Sequence, residues 1–320
     1  MKVSFITAFL NEGKNLPEFR QRVLAVASQL NAEIEVVLVD DHSSDESAQI
    51  ARDWCNDDSR VSYLRLSRNC GSHAAFSAGL AHCTGDCAVL LAADLQDPPE
   101  AAPELLTKHQ EGFDVVWAVR SSRESEKWST LLFANLYYRL MRRFALPDMP
   151  ATGADFLLMD RKVIDAYNAI PEKNTSFLAM ILWMGFRQIS IQYVKHARHA
   201  GKSKWTLSKK LKLFIDSMVS FSYVPIRLMS LLGLTLATCG FVYALVVVIG
   251  RFTGLVTAGT GFAALMTVLL VGQGGILVML GVLGEYLWRT FDEARGRPRY
   301  IIEDHITSHP LPLNAVNRAS

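Results

Sequence analysis

Asp94 and Gln96 are the residues whose types and spacing point most directly to chemistry. They follow an apolar run that ends at Ala93, and residues two apart in an extended segment point to the same side. A carboxylate and an amide can therefore present oxygens to one hard cation. Mg²⁺ or Mn²⁺ held by few protein ligands takes its remaining ligands from phosphates and water. The alternative is structural, because aspartates near strand ends are common in turns and caps.

Asp40 and Asp41 form a second acidic position, directly after an apolar run that ends at Val39. In nucleotide-binding folds a carboxylate at such a strand end accepts hydrogen bonds from a ribose or a base. A turn or capping role is the alternative. That role suits Ser44 and Asp45 better than Asp41, because either of them can cap the helix that follows.

Short apolar runs alternate with helical patterns over the first 120 residues, and these elements must position the acidic residues. Strands are predicted at 3–9, 34–39, 61–66, 88–92 and 115–119. Helices are predicted at 16–30, in the segment after Asp45, at 73–82 and at 99–109. Apolar strands alternating with helices predict a parallel α/β sheet covered on both faces, with its ligand at the carboxyl ends of the strands.

The composition excludes several classes of protein. The 320 residues carry 33 Lys+Arg against 31 Asp+Glu, a net formal charge of +2. This balance argues against a general nucleic-acid binder and against a disordered acidic protein. Five cysteines are too few and too scattered for a disulfide framework, which favours free thiols in a cytosolic setting. The mean hydropathy is positive, +0.17, so the apolar residues must be concentrated in part of the chain.

Two segments, 228–250 and 254–284, carry no charged residue. A membrane-spanning helix needs about 20 apolar residues, so both are long enough, and the short connection around Arg251 predicts a helical hairpin. Arg227 precedes the first segment, and four arginines follow the second. Under the positive-inside rule these flanks place both termini in the cytoplasm. Two buried core helices of a soluble protein are the alternative.

The region 125–226 is predicted to be neither strand-like nor membrane-spanning. Two parts of it, 128–144 and 207–223, place basic and apolar residues at helical spacing. Helices of this kind lie in a membrane interface, or they pack as amphipathic helices on a soluble domain. The second part leads directly into the first uncharged segment, which favours the interface.

Five motifs occur in the order that they have in one enzyme family. They are Ala8-Phe9-Leu10-Asn11-Glu12, Val39-Asp40-Asp41-His42-Ser43-Ser44-Asp45, Ala92-Ala93-Asp94-Leu95-Gln96-Asp97-Pro98-Pro99-Glu100, Gly153-Ala154-Asp155-Phe156 and Arg198-His199-Ala200-Gly201-Lys202-Ser203-Lys204-Trp205. On these motifs the chain resembles the family 2 glycosyltransferases of GT-A fold that use polyisoprenyl phosphates, which include dolichol-phosphate mannose synthases and bacterial undecaprenyl-phosphate glucosyltransferases. The two uncharged segments and the tail Arg297-Pro298-Arg299-Tyr300 resemble the bacterial members with a C-terminal membrane hairpin.

The resemblance implies an organisation in four parts. A GT-A, Rossmann-like nucleotide-sugar-binding domain would occupy 1–125, and an acceptor-side region with a catalytic aspartate and amphipathic interfacial helices would occupy 126–226. Two transmembrane helices at 227–287 and a cytoplasmic tail at 288–320 would follow. The chain would then be an integral protein of the bacterial cytoplasmic membrane, with its active site on the cytoplasmic side.

The resemblance also implies roles for individual residues. The nucleotide-sugar pocket would be formed by Ala8, Leu10, Glu12, Val39, Asp41, Ala93, Asp94, Arg198 and Lys204. The metal ligands would be Asp94 and Gln96, and the catalytic residues Asp155, Asp94 and Arg120. The candidates for binding the lipid phosphate are Arg120, Lys127 and Ser203.

Three positions depart from the family pattern. Ala8 and Leu10 stand where proline and tyrosine are usual, which puts the stacking of the base in doubt. Ala92 stands where the family often has an acidic residue. This substitution removes one negative charge and leaves Asp94 and Gln96 as the metal pair.

The implied reaction transfers a hexose to the phosphate of undecaprenyl phosphate with inversion, and it uses Mg²⁺ or Mn²⁺. UDP-glucose is the favoured donor, while GDP-mannose, a UDP-N-acetylhexosamine and a modified arabinose stay open. The second pKa of a phosphate monoester is about 6, so at neutral pH the acceptor is already a nucleophile. Asp155 would therefore orient the acceptor or the sugar, or else act as a base.

A processive polysaccharide synthase and a non-catalytic membrane scaffold or lipid transporter are the alternatives. The chain has no Gln-x-x-Arg-Trp motif, and two spans are too few for a polymer channel. Asp94, Gln96, Arg198 and Lys204 argue against a non-catalytic fold. A homo-oligomer is a further prediction, because glycines permit close helix contact and the second segment carries them at 272, 274, 275, 281 and 284.

Overall fold

The structure is a computed structural model that describes residues 1–121, 137–147, 149, 154–173, 175–194, 215–253 and 261–307. For residues 154, 155, 251, 263 and 264 it describes the backbone alone. The chain divides into two compact units. The first comprises Met1–Phe214 and Pro298–Ser320, and the second comprises Ile215–Arg297.

A mixed eight-stranded sheet forms the first unit. Its strands are β1 (Lys2–Phe9), β2 (Glu33–Asp40), β3 (Val61–Leu66), β4 (Cys87–Ala92), β5 (Val115–Arg120), β6 (Ala154–Asp160), β7 (Gln188–Tyr193) and β8 (Ile302–Ile306). Their spatial order is β7-β5-β6-β4-β1-β2-β3-β8. Strands β1 to β5 and β7 run in one direction, whereas β6 and β8 are antiparallel to their neighbours.

Helices follow most of these strands. They are α1 (Leu16–Gln29), α2 (Ser47–Asp57), α3 (Ser72–His82), α4 (Ala102–Gln110), α5 (Arg161–Ala169), α6 (Phe177–Trp183), α7 (Val224–Phe252) and α8 (Gly261–Ala294). A 3₁₀ turn at Pro99–Ala101 precedes α4. Helices α1 and α4 each have a proline near their start. The fixed φ of proline suits a helix, and its missing N–H costs nothing there because the first N–H groups of a helix have no acceptor within the helix.

The core lies between the sheet and its helices. Strands β2 and β4 are almost entirely buried, as expected when helices cover both faces of a parallel sheet. Trp54 and Trp117 are among the largest fully buried side chains. At Gly79 the helix α3 comes so close to β1 that a Cβ atom would collide with Ile6. The five cysteines carry free thiols in the structure.

The prediction of an α/β nucleotide-type fold is confirmed, and each element predicted through residue 120 is observed. The helix predicted at 99–109 differs most, because its first three residues form a 3₁₀ turn and the α-helix begins at Ala102. The five strands predicted through residue 120 run in one direction, as predicted, but the sheet also contains two strands of opposite direction. Antiparallel β6 separates β4 from β5, and antiparallel β8 closes the far edge beside β3.

The region 125–226 is not free of strands, which corrects a prediction. Its strand β6 carries a short buried run at 156–159, and its strand β7 pairs with β5 in parallel. The amphipathic segments 128–144 and 207–223 lie largely outside the described residues. Their described parts, 137–144 and 215–221, are helical.

The C-terminal region 288–320 also differs from a plain tail. Helix α8 continues to Ala294, and β8 joins the sheet of the first unit. The exposure of β8 alternates along the strand. A short, charged strand is typical of a sheet edge, where unpaired backbone groups would otherwise invite another chain.

The second unit contains two helices, α7 and α8, that are long and apolar enough to cross a membrane. Their large apolar side chains face outward, and Phe241 is 71% exposed. Gly233 lies against Met279, and Gly275 lies against Leu236. These two contacts show that the helices pack antiparallel. Of the five predicted glycines in α8, Gly275 alone meets α7, and the other four have open space beside them.

Candidate active site

Three strands of the same direction end side by side, and the predicted acidic residues follow these ends. β1 ends at Phe9, β2 at Asp40 and β4 at Ala92. The register pairs Phe9 with Asp40, and it pairs Ala92 with the residue before Phe9. The loops after the three strands therefore start next to one another, as expected for ligand sites in open α/β sheets.

The loop after β1 is tied to the loop after β2 through Asn11. Asn11 has a left-handed backbone, with φ +52°, which asparagine tolerates better than most residues. Its backbone N–H donates to Oγ of Ser43 at 2.9 Å, and its side-chain Oδ1 accepts from the N–H of Ser44 at 2.7 Å. This reciprocal pair of bonds holds the two loops in one arrangement.

Asp45 and Ser47 extend the same connection to the start of α1. The N–H of Glu12 donates to Oγ of Ser47 at 2.8 Å, and the N–H of Gly13 donates to Asp45 at 3.2 Å. Asp45 also accepts from the N–H of Ser47 at 3.0 Å, but the N-cap position of α2 is Glu46, so Asp45, predicted as a cap, stands one residue before that position. The carboxylate of Glu12 accepts from Nδ2 of Asn15 at 2.6 Å.

Asp40 is a buried structural acid, with a side chain that is 0% exposed. It accepts from the hydroxyl of Tyr63 at 2.9 Å, from Arg65 at 2.7 Å and from the N–H of Ser43 at 2.7 Å. A buried carboxylate requires such partners. Asp40 therefore fixes the start of the loop rather than facing a ligand.

Asp41 lies next to it and is also buried, but its partners come from another loop. Its two carboxylate oxygens accept from the backbone N–H groups of Cys70 at 2.6 Å and Gly71 at 2.9 Å, just before α3. Burial raises the pKa of Asp41, and these two bonds offset only part of that increase. A carboxylate has about four acceptor positions, so capacity for a ribose or base hydroxyl remains.

The loop after β4 alternates between buried and partly exposed residues. Ala93, Leu95 and Asp97 are buried, whereas Asp94 and Gln96 are partly exposed. The prediction places Asp94 and Gln96 in an extended segment, but residues 93–97 form a turn, so the joint role of the two side chains stays a prediction. The N–H of Gln96 donates to Oδ1 of Asp94 at 3.2 Å, and Leu95 has a left-handed backbone, with φ +59°.

Asp97 anchors this loop on its buried side. Its Oδ1 accepts from the hydroxyl of Tyr193, at the end of β7, at 2.6 Å. The Tyr193 ring packs edge-on against Phe156 of β6, with 4.9 Å between ring centroids. Two strands that the sequence analysis did not predict thus hold the Asp94 loop in place.

The donor set around Asp94 fits a hard cation that keeps most of its ligands outside the chain. Within the described residues no group of three or more His, Cys, Asp or Glu could hold a metal ion. A site with one carboxylate and one amide side chain, those of Asp94 and Gln96, would leave several coordination positions to phosphate oxygens and water. That is the coordination typical of Mg²⁺ in nucleotide sites.

Arg120 and the backbone of Asp155 lie at the same end of neighbouring strands. Arg120 is the last residue of β5. Antiparallel β6 begins at Ala154, which pairs with Val119, so the backbone of Asp155 starts next to the end of β5. Arg120 is partly exposed. The structure thus brings the backbone of Asp155 to the edge where the Asp41 and Asp94 loops begin.

The small and apolar residues predicted for the pocket divide into two groups. Ala8 and Leu10 are partly exposed, whereas Val39 and Ala93 are buried. Ala8 pairs with Val39 across the β1–β2 register. Four further predicted residues lie outside the described part of the chain, namely Lys127, Arg198, Ser203 and Lys204.

Sequence reasoning missed Arg65, Ser43 and Tyr193. Arg65 and Tyr193 stand in strands whose neighbours are distant in sequence, so no local pattern marks their partners. A signal for Arg65 existed in principle. A carboxylate buried at the end of β2 needs a cation, and Arg65 is the strand-end arginine of neighbouring β3.

Residues 4–167 match the family model described as glycosyl transferase family 2, which is just over half of the 320 residues. The chain belongs to glycosyl transferase family 2. The predictions of a glycosyltransferase and of this family are confirmed.

Three relatives match nearly the whole chain. The glycosyltransferase YkcC of Bacillus subtilis (strain 168) is 37% identical over 304 residues, 95% of this chain and 94% of its own length. The undecaprenyl-phosphate 4-deoxy-4-formamido-L-arabinose transferase of Pseudomonas fluorescens (strain SBW25) is 36% identical, covering 96% and 91%. The prophage bactoprenol glucosyl transferase homolog of Escherichia coli (strain K12) is 32% identical, covering 95% and 99%.

Among solved structures, the mannosyl-3-phosphoglycerate synthase from Rubrobacter xylanophilus is similar, with a TM-score of 0.48 and 17% identity. The similarity covers 68% of this chain and 71% of that one.

Proposed function

We propose that the chain transfers a sugar from a nucleotide sugar to the phosphate of a polyprenyl lipid, undecaprenyl phosphate, with inversion at the anomeric carbon. The observation that carries the proposal is how far the similarity extends. A relative named as an undecaprenyl-phosphate sugar transferase matches 96% of the chain, well beyond the family 2 segment at 4–167. The match includes α7 and α8, the part of the chain that suits a lipid acceptor.

The nucleotide would occupy the pocket formed by the loops after β1 and β2. Asp41 would accept hydrogen bonds from the ribose or the base, and Ala8 and Leu10 would lie beside the base. The support is geometric. The bonds of Asn11 and Asp45 join these two loops, and the two pocket residues that are partly exposed flank the end of β1.

The sugar and the diphosphate would lie over the Asp94 loop. An oxygen of the lipid phosphate would attack the anomeric carbon while the bond from that carbon to the diphosphate breaks, and the nucleoside diphosphate would leave with the bonding electrons. A phosphate monoester is mostly dianionic above its second pKa of about 6, so no proton has to be removed. Asp155 would orient the acceptor or the sugar.

Charge on the leaving diphosphate is what the site must stabilise. Mg²⁺ or Mn²⁺ held by Asp94 and Gln96 would supply a Lewis acid for that charge. Arg120, at the end of β5, would bind phosphate, as would Arg198 and Lys204. Lys127 and Ser203 are further candidates for the phosphate of the lipid.

The membrane arrangement is part of the proposal. Helices α7 and α8 would cross the bacterial cytoplasmic membrane and leave both termini in the cytoplasm, because arginines follow α8, whereas the other end of the hairpin carries only Arg251 near the end of α7. The catalytic unit would then meet the phosphate of the lipid at the cytoplasmic surface.

UDP-glucose is the donor to be tested first. A 4-deoxy-4-formamido-L-arabinose donor is the second candidate, because relatives named for that sugar reach 36% to 37% identity. The relative named as a bactoprenol glucosyl transferase homolog reaches 32%.

The test is sugar transfer by the full-length protein in detergent. Undecaprenyl phosphate is incubated with radiolabelled nucleotide sugars and Mg²⁺, and the label in the extracted lipid is counted. We expect one donor to label the lipid, with the signal lost after EDTA treatment and in Asp94→Ala. Asp53→Asn, an exposed change on α2, is the matched control and should keep full activity.

Two outcomes would count against the proposal. Folded protein that labels no lipid from any donor, while it still binds a nucleoside diphosphate, would exclude the lipid acceptor. A product with many sugars on each acceptor would identify a processive synthase instead.

A further inference from the structure

Strand β8 joins the catalytic sheet from the far end of the chain. It lies antiparallel beside β3, with Asp304 opposite Arg65 and Ile302 opposite Leu66. The N–H of Ser67 donates to the carbonyl of Ile301 at 2.9 Å, so the pairing continues past the end of β3. The segment after α8 therefore reaches the carboxyl end of β3, which lies next to the end of β2 where the Asp41 loop begins.

Arg65 connects this strand to the β2 loop through all three parts of its guanidinium group. Its Nε donates to Glu303 of β8 at 3.0 Å. One terminal nitrogen donates to buried Asp40 at 2.7 Å, and the other donates to the carbonyl of Ser43 at 3.1 Å. One arginine thus holds both ends of the loop that contains Asp41.

His42 gives Glu303 a second contact with the same loop. Its backbone is left-handed, with φ +66°, an uncommon conformation for a residue other than glycine. Its Nδ1 lies 3.0 Å from the carbonyl of Leu66 and 3.5 Å from the carboxylate of Glu303. Glu303 therefore has two connections to the Asp41 loop, one through Arg65 and one directly to His42.

The other end of the segment is anchored on helix α3. Arg299 donates to Oγ of Ser77 at 2.8 Å, to the hydroxyl of Tyr167 at 2.5 Å and to the carbonyl of Glu172. Its guanidinium carbon lies 5.8 Å from the centroid of the Tyr167 ring. The N–H groups of Cys70 and Gly71, just before α3, donate to Asp41, so the helix that Arg299 contacts follows directly on the residues that hold Asp41.

We propose that Glu303 is a positioning residue for the nucleotide pocket, acting through Arg65 and His42 on the Asp41 loop. The inference rests on the proposed function, in which this loop receives the nucleotide of the donor. Glu303 does not touch the reacting atoms. By orienting Arg65 it sets the geometry in which Asp41 meets the nucleotide, so it governs donor affinity and leaves the chemical step unchanged.

The matched control lies next to Glu303 in the same strand. Asp304 pairs with Arg52 of α2 at 2.8 Å. The two acidic residues have similar exposure, 49% for the Glu303 side chain and 40% for that of Asp304. Asp304→Asn therefore breaks an equivalent ion pair of β8 that does not involve the Asp41 loop.

The experiment compares Glu303→Gln and Asp304→Asn with the full-length wild-type protein. UDP affinity is measured by calorimetry, and the KM of the donor, the KM of the acceptor and kcat are measured in the lipid assay. We expect Glu303→Gln to raise the donor KM and the UDP dissociation constant about fivefold, which is the upper range for a partly exposed ion pair. The acceptor KM and kcat should stay the same, and Asp304→Asn should match wild type in all four quantities.

Ionic strength gives a readout that a purely structural role would not change. Salt screens exposed ion pairs, so the difference in UDP affinity between wild type and Glu303→Gln should shrink in high salt. Glu303→Gln with wild-type donor affinity overturns the inference, and so does an equal loss in Asp304→Asn. Wild-type protein that binds no nucleoside diphosphate and transfers no sugar overturns the proposed function itself.

Discussion

The loops after β2 and β4 differ in how far the aspartates at their start are buried. In the loop after β2, Asp40 and Asp41 are buried, and all four of their carboxylate oxygens accept hydrogen bonds from the protein. In the loop after β4, Asp94 is partly exposed, and its Oδ1 accepts from the N–H of Gln96 at 3.2 Å.

This difference suggests separate roles for the two loops, with the β2 aspartates holding a loop in place and Asp94 taking part in the reaction. A carboxylate held by several donors keeps a loop in one conformation, and its removal leaves buried donors without partners. A partly exposed carboxylate can serve a cation that takes its other ligands from phosphate and water. We therefore expect changes in the β2 loop to act on stability and nucleotide affinity, and changes at Asp94 to act on the chemical step.

The largest effect is expected at Asp94. Asp94→Asn should lower kcat of sugar transfer about 10³-fold, the range for removing one group that stabilises developing charge. The melting temperature should not change, because Asp94 is not part of the buried core. Steady-state kinetics with the active donor and a thermal melt of the same preparation would test both statements.

The control for Asp94 is Asp53→Asn, which should match wild type in both measurements. If Asp94→Asn lost stability instead of activity, the distinction between the two loops would be wrong.

Asp40 should show the reverse behaviour. Asp40→Ala leaves Arg65 and Tyr63 without their buried acceptor, and it should lower the free energy of unfolding by about 3 kcal/mol. The matched control is Asp57→Ala, which breaks a surface pair with Arg20 and should cost less than about 1 kcal/mol. Chemical denaturation in detergent, followed by tryptophan fluorescence, compares the two. Equal losses would remove the distinction between buried and exposed pairs.

A substitution at Tyr193 tests how much the hydrogen bond between Tyr193 and Asp97 stabilises the Asp94 loop. Tyr193→Phe removes the hydroxyl that donates to Asp97 but keeps the ring against Phe156. A buried carboxylate that loses a donor should cost about 1.5 kcal/mol in the free energy of unfolding. The same denaturation measurement tests this. A loss as large as that of Asp40→Ala would mean that both loops are fixed equally firmly.

Much of the first 120 residues could be predicted because local pattern and tertiary environment agree there. Strand β3 was predicted at 61–66 and lies at those residues. It is a mostly buried run between parallel β2 and antiparallel β8, and an apolar run of this length is recognisable in the sequence. The acidic residues at the ends of β2 and β4 were predictable for the same reason, since the ends of the strands locate the loops.

The later strands could not be predicted because their stability depends on distant partners. Strand β8 carries Glu303, Asp304 and His305 in five residues, and it becomes a strand by pairing with β3, more than 230 residues earlier. The bond between Tyr193 and Asp97 spans 96 positions. Each of these contacts follows from the order of strands in the sheet, which no local pattern contains.

The smallest predicted effect is a dependence on pH within the β2 loop. Burial raises the pKa of Asp45, but the bonds from Ser47 and the N–H of Gly13 outweigh burial, and the pKa lies below its ordinary value. A carboxylate with a lowered pKa stabilises the folded state above its unfolded-state value, about 3.9, and loses that contribution as pH falls through the folded value.

Asp45→Asn should therefore lower the free energy of unfolding at pH 7 by about 0.5 kcal/mol, because solvent screens this exposed group. The difference from wild type should disappear as the pH falls through the lowered pKa of Asp45. Asp41 should titrate in the opposite sense, since burial raises its pKa. Carboxyl NMR of the two residues would test the contrast directly, and a higher midpoint for Asp45 than for Asp41 would contradict it.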